Sequence, residues 1–191
     1  YKNPLNNCIF LDNHDNNRFL SMVGEDYNKF KMGLGLLYTT RGIPQLYYGT
    51  EILMKNFMNP SDAMVRLNFP GGFPGDTVNK FEASGRSTKE NDAFNFVKTI
   101  ANFRKGSPAL TSGKTIMFVP KDGYFVYFRK SANQTIMCVV NSNDKAQDIK
   151  FADYAEVTTG FKGGKEVVAG YQVGNQFSIP AKQMWIIELN K

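Results

Sequence analysis

Histidine occurs once in this chain of 191 residues, tryptophan once and cysteine twice. A single imidazole, His14, among scattered acids gives no metal-ligand spacing. Cys8 and Cys138 are too few for a disulfide framework and lie in separate strand-like runs, so both read as buried free thiols. No apolar run approaches the length of a membrane span. No cleavable leader is visible, and the first residue is Tyr1 rather than Met, which reads as an excised or processed piece. Repeats, low-complexity tracts and the glycine pattern of a phosphate-cradling P-loop are all missing. No Ser or Cys adjoins the one Asp-His pair, so it is not a nucleophilic triad. The formal net charge is +6, but the lysines are dispersed and many flank turns. That distribution reads as a solvated surface and not as a nucleic-acid footprint.

What is present centres on Cys8–Asp15, where the apolar run Cys8-Ile9-Phe10-Leu11 breaks into Asp12-Asn13-His14-Asp15. The run predicts a short buried strand covered on both faces. Its polar cluster sits at the carboxyl end, where α/β folds place their ligands. Asp and Asn after a strand also serve as ordinary loop formers, which is the bland reading by composition.

Downstream, Asp26 predicts an N-cap for a helix whose apolar face is Tyr27, Phe30, Leu34, Leu37 and Tyr38. Gly33 and Gly35 interrupt it at roughly 1 kcal/mol each relative to alanine. Close packing against a neighbour and simple tolerance account for them equally. Ile43–Tyr48 predicts the next strand, with Pro44 near its start and Tyr47 and Tyr48 on opposite sides. Strand, helix and strand make a right-handed crossover unit. A long irregular segment, 52–85, is rich in Pro and Gly yet carries Met and Phe side chains that argue for order. Ser87-Thr88-Lys89-Glu90 fits a capping box, and the helix it opens ends at Gly106 and Pro108.

From about Gly113 the pattern becomes short apolar runs separated by turn residues. Asp122-Gly123 predicts a tight hairpin between strands 116–119 and 124–129. Further strands are expected at 135–140, 147–151, 156–159, 166–169, 176–179 and 184–189, with Trp185, Ile187 and Leu189 on one face. Strands at this spacing read as a β-sandwich whose aromatic side chains serve the core more than a sugar platform.

Phe10-Leu11-Asp12-Asn13-His14-Asp15 resembles the fourth conserved stretch of the alpha-amylase family of glycoside hydrolases. Gly42-Ile43-Pro44-Gln45-Leu46-Tyr47-Tyr48-Gly49-Thr50-Glu51 is similar to the segment forming that family's eighth barrel strand. The 66–76 stretch resembles a loop of neopullulanase-like members. The resemblance implies an α/β plus all-β fold: the last βαβα portion of a TIM (β/α)8 barrel over 1–110, then a C-terminal antiparallel β-sandwich over 111–191. It implies a retaining, α-glucan-hydrolysing glycosidase of which this chain is the C-terminal part.

In that family Asp15 matches the transition-state stabiliser, whose hydrogen bonds strengthen as the sugar ring distorts. His14 matches a contact to the same sugar. Asn13 and Arg18 join the substrate-binding group. Loop orientation is the more usual role for Asn13, and pairing with a carboxylate is an equal reading for Arg18. Gly42, Pro44, Gly49 and Glu51 match structural positions. The family's nucleophile and general acid come from earlier strands, so the isolated chain is expected to be inactive. Expected partners are an α-glucan oligosaccharide and the rest of the barrel, with no nucleic acid and no membrane span. Open barrel edges predict self-association. No cofactor is expected in this segment, and the resemblance leaves calcium in the parent protein open. For that parent it implies a periplasmic or cell-envelope location. The competing reading is a non-catalytic carbohydrate-binding or scaffolding module.

Overall fold

The computed structural model describes residues 2–191. Its first half is a parallel βαβ unit followed by a long helix. Strand β1 (Cys8–Ile9) pairs in parallel with β2 (Ile43–Pro44), in the register Cys8 to Ile43 and Ile9 to Pro44. Both strands are shorter than expected, because each has only the other as partner among the described residues. The Ile43 N–H donates to Asn7 O and the Gln45 N–H to Ile9 O, both over 2.8 Å. Pro44 falls between these two donors, where its missing N–H costs no ladder bond. The expected cover on both faces is absent: Ile9 and Leu11 pack on the core, while Phe10 and Ile43 stay exposed.

Helix α1 (Phe19–Met22) is one turn, and α2 (Tyr27–Thr39) is the crossover helix. Asp26 caps α2 through bonds from the Asn28 and Lys29 backbones. Of the expected face, Phe30, Leu34, Leu37 and Tyr38 are buried. The glycines mark close packing. A Cβ on Gly33 would run into the Phe19 ring, and one on Gly35 would lie 2.7 Å from Met184 Sδ. Helix α3 (Thr88–Gly106) opens with the complete Ser87–Glu90 capping box, and Pro108 starts a further turn, α4 (Pro108–Thr111).

The second half is antiparallel. Six strands lie in the order β3 (Lys114–Met117), β4 (Tyr124–Lys130), β5 (Thr135–Asn141), β10 (Gln183–Asn190), β7 (Gly163–Glu166) and β8 (Gln172–Gly174). A separate two-stranded ribbon pairs β6 (Gln147–Lys150) with β9 (Gln176–Ile179). Asp122 and Gly123 both have positive φ, 49° and 77°, as a two-residue hairpin turn matched to strand twist requires. Strand alternation divides the core. Val126, Phe128, Met137, Val139, Ile187 and Leu189 face the ribbon, whereas Tyr127, Ile136, Cys138 and Ile186 face α2, α3 and α4.

Three expectations need correction. Residues 156–159 are no strand: α5 (Ala155–Thr158) and its flank coil there, with Thr158 Oγ1 donating to Phe151 O and Tyr154 O and Thr159 Oγ1 to Ala155 O. The strand placed at 166–169 lies earlier, at 163–166, and β8 follows unforeseen. Gly163 and Gly164 concealed β7, yet a Cβ at Gly164 would lie 2.6 Å from Glu188 O. Cys8 is exposed, whereas Cys138 is buried and its thiol is pushed up to about 12 by desolvation.

Two buried arginines fasten the end of α2, and the second of them also ties the sheet to the first half. Arg104 of α3 donates to Tyr38 O, Thr40 O and Gly42 O at 2.8, 3.1 and 2.6 Å. Arg129 of β4 donates to Thr39 O at 2.8 Å, Leu110 O at 3.0 Å and Gly113 O at 3.1 Å. Both meet the carboxyl end of α2, where unpaired carbonyls and the helix dipole favour a cation. Burial depresses the pKa of each guanidinium.

Candidate functional site

The 12–18 loop leaves β1 and is stitched to the segment that follows β2. Asp12 is buried. Its carboxylate accepts from the Phe19 N–H at 2.9 Å and from Thr50 Oγ1 at 3.2 and 3.3 Å. Desolvation raises its pKa, opposed by these bonds and by Arg18. Asn17 Oδ1 accepts from the Met58 N–H at 2.8 Å, and the Arg18 N–H donates to Asn56 O at 3.0 Å. Asn13 Oδ1 accepts from the Asp15 N–H and from Asn16 Nδ2, both at 2.8 Å, which shapes the turn.

His14 and Asp15 are thereby displayed, with side chains 64% and 61% exposed and His14 Nε2 3.2 Å from Asp15 Oδ2. Arg66 completes the group. Its Nε donates to His14 O at 2.9 Å, and one Nη donates to Asp15 Oδ1 at 2.8 Å and Asp62 Oδ2 at 3.1 Å. Sequence reasoning missed Arg66, Asp12 and Thr50 as members of this site. The contacts that join them to the loop, Thr50 to Asp12 and Arg66 to Asp15, span 38 and 51 positions, and only the position of Arg66 in a long ordered loop hinted at a role.

Arg18 is placed differently from the exposed cluster. It is 1% exposed. One Nη donates to Tyr48 O at 2.5 Å, and the guanidinium lies 4.1 Å from the Tyr47 ring centre and 4.8 Å from that of Tyr48. The other Nη has no partner. Burial sets Arg18 behind the exposed cluster, packed on the two tyrosines. Tyr47 and Tyr48 do not alternate across a strand, because β2 ends at Pro44; both rings serve Arg18.

Gly42 has φ +117°, and a Cβ there would lie 2.7 Å from Asn7 O. Gly49 has φ +81° and opens the one-turn 3-10 helix Thr50–Ile52. Glu51 sits in that turn with Oε2 unpartnered, and desolvation raises its pKa. Among the described residues no group of three or more His, Cys, Asp or Glu is arranged to hold a metal ion, and no helix is long and apolar enough to cross a membrane.

Chemically, the exposed cluster offers a carboxylate, an imidazole and a guanidinium, a set suited to hydrogen-bonding a polyhydroxylated ligand. Two family models match the chain. "Alpha amylase, catalytic domain" covers residues 1–69, and "Cyclo-malto-dextrinase C-terminal domain" covers residues 115–188. An alpha-amylase of Niallia circulans is 32% identical over 134 residues, 70% of this chain and 22% of that protein. A cyclomaltodextrin glucanotransferase of Geobacillus stearothermophilus is 27% identical over 146 residues, 76% of this chain and 18% of that protein. The alpha-amylase of Geobacillus thermoleovorans, solved with acarbose, superposes with a TM-score of 0.75 at 20% identity, covering 100% of this chain and 40% of that one. CldA, a cyclomaltodextrin glucanotransferase with a three-domain ABC arrangement, gives 0.75 at 23% identity, with 100% and 38% covered.

The superpositions over the full chain define the class, a protein with the fold of part of these enzymes. Within that class the chain belongs to the alpha-amylase family. It spans about a fifth of the length of these curated relatives.

Proposed function

We propose that this chain is the carboxy-terminal part of a retaining α-glucan-hydrolysing enzyme of the neopullulanase or cyclomaltodextrinase type. Residues 1–110 supply the last βαβα portion of its catalytic barrel, and residues 111–191 form its C-terminal β-sandwich. The observation that carries this reading is Asp15, exposed beside His14 and held by Arg66 at the carboxyl end of β1. Asp15 hydrogen-bonds the sugar before the scissile bond and gains strength as the ring flattens toward an oxocarbenium-like transition state. His14 donates to the same sugar, and Arg66 fixes the pair. Asn13 shapes the turn. Arg18 is the buried strut beneath the site, with Gly42, Pro44, Gly49 and Glu51 in the supporting backbone. The match of 115–188 to a cyclomaltodextrinase C-terminal domain supports the finer type.

The nucleophile and general acid of such an enzyme lie on strands outside this chain, so the chain alone does not hydrolyse. The substrate is an α-glucan oligosaccharide, the location is periplasmic or at the cell envelope, and no cofactor binds within these residues. The exposed Phe10 and Ile43 beside the unpaired edges of β1 and β2 are where the rest of the barrel docks, and where isolated copies associate.

The test uses the complete reading frame. Asp15→Asn there lowers kcat on maltooligosaccharides by 10³-fold or so, in line with losing a group that acts mainly in the transition state. Reducing sugar released by the pure 191-residue chain, or full activity in the Asp15→Asn enzyme, refutes the assignment.

A further inference from the structure

A cleft of about 220 Å³ opens at one edge of β10, walled by the start of α2, by Phe96 of α3 and by the turn joining β7 to β8. It exists because β7 pairs only with Ile187–Asn190 of β10 and leaves Gln183–Trp185 without a strand on that side. Trp185 and Tyr171 form its aromatic wall, with ring centres 5.9 Å apart and planes inclined by 44°. Phe177 stacks on Trp185 at 5.8 Å and 14°, which holds the indole in place. The turn carrying Tyr171 is fixed as well, since Glu166 accepts from the Val168 N–H at 2.9 Å and the Ala169 N–H at 2.5 Å. Tyr171 nevertheless stays 57% exposed.

The charges at the cleft are already engaged. Glu166 holds the turn, Lys182 binds Ser142 O at 2.6 Å and Asp144 at 3.1 Å, and Lys31 lies 4.0 Å from Asp92 and 4.7 Å from the Tyr27 ring centre. The Trp185 indole N–H donates to Gln183 Oε1 at 3.0 Å, so what remains for a ligand is two aromatic faces, the Tyr171 hydroxyl, the Asn28 amide and the Gln183 NH2 group. Rigid amphipathic rings beside a few polar groups suit a neutral ligand with one apolar face and a polar rim. A pyranose has that character: C–H bonds line its faces, and hydroxyls ring its edge.

We infer that this cleft is a second α-glucan site, taking one or two glucosyl units and sharing no residue with the Asp15 cluster. The choice of α-glucan as the ligand rests on the proposed function; the cleft itself does not.

Trp185 is the sole tryptophan, so its emission reports this site alone. Titrating the 191-residue chain with maltoheptaose should give a saturable emission change. The apparent Kd should weaken at least tenfold in Tyr171→Ala or Gln183→Ala, both at exposed positions, and should be unchanged in Asp15→Asn. Cellopentaose, the β-linked control, should give no response. A silent tryptophan, an equal response to cellopentaose, or a response that survives both cleft substitutions overturns the inference. So does an emission change on concentrating the chain without sugar, which would make a second copy the occupant. Failure here while the complete enzyme still hydrolyses maltooligosaccharides leaves the proposed function standing. Loss of that reading with the Trp185 response intact leaves this site standing.

Discussion

Arg66 donates to Asp15 Oδ1 across 2.8 Å and 51 positions of sequence, while its Nε holds the His14 carbonyl. One guanidinium therefore fixes both the backbone and the carboxylate of the exposed cluster. Arginine suits this because its planar fork presents several donors in fixed directions. Arg66→Ala should barely change global stability, within about 1 kcal/mol for so exposed a pair. In the complete enzyme it should still lower kcat/KM on maltooligosaccharides by about tenfold or more, as misplacement of a catalytic group does. Arg66→Lys should not restore it. Equal activity of the lysine variant and wild type would show that charge alone matters.

Arg129 should be among the costliest single sites in the chain. It is fully buried and donates to three backbone carbonyls, one at the end of α2 and two around the end of α4. Arg129→Met keeps the volume and removes every donor. The expected loss is about 3 kcal/mol or more, since each stranded carbonyl forfeits its partner away from water. A urea titration should show the midpoint falling by that loss divided by the m-value, with m unchanged. A loss under about 1 kcal/mol would mean that water replaces the guanidinium.

The two glycines of α2 should respond differently to alanine. Each substitution gains up to about 1 kcal/mol of helix propensity. At Gly33 the new methyl meets the ring of buried Phe19, which must shift; at Gly35 it meets the flexible end of Met184. Gly33→Ala should destabilise by about 1–3 kcal/mol as an overpacked site. Gly35→Ala should lie closer to neutral. Thermal melts of the two variants would test the order, and the reverse order would mean that Phe19 yields more readily than Met184.

Glu51 carries a pH signature. Desolvation raises its pKa above the ordinary 4.5, and Oε2 has no partner. The folded state therefore binds the proton more tightly than the unfolded one. Stability attributable to this group is greatest below 4.5 and falls as pH rises through the raised folded value. Glu51→Gln removes the charge, so it should stabilise at pH 7 by on the order of 1 kcal/mol, with the gain fading toward pH 4. Denaturant midpoints for the two proteins between pH 4 and 8 would check this. A Gln variant less stable at pH 7 would mean that the carboxylate has a partner in solution.

Much of the local structure was legible in the sequence because it rests on neighbours in the chain. Asp26 and the Ser87–Glu90 box cap backbone groups within one turn, and Asp122-Gly123 bends the chain where both residues adopt positive φ. The 156–159 stretch was misread because Thr158 and Thr159 prefer strands by type but here bond backward to carbonyls up to seven residues earlier.

The sequence by itself determined the caps, the helical faces, the hairpin, and the Asn-His-Asp cluster after an apolar run. All of these follow from contacts a few residues apart or from residue chemistry. Only the tertiary structure decided that Arg66 joins His14 and Asp15, that Arg18 lies buried beneath Tyr47 and Tyr48, and that Arg129 of the sheet holds the end of α2. Those relationships join groups about 30 to 90 positions apart. No periodicity encodes them; they exist only once the chain has closed its long loops and buried both partners together.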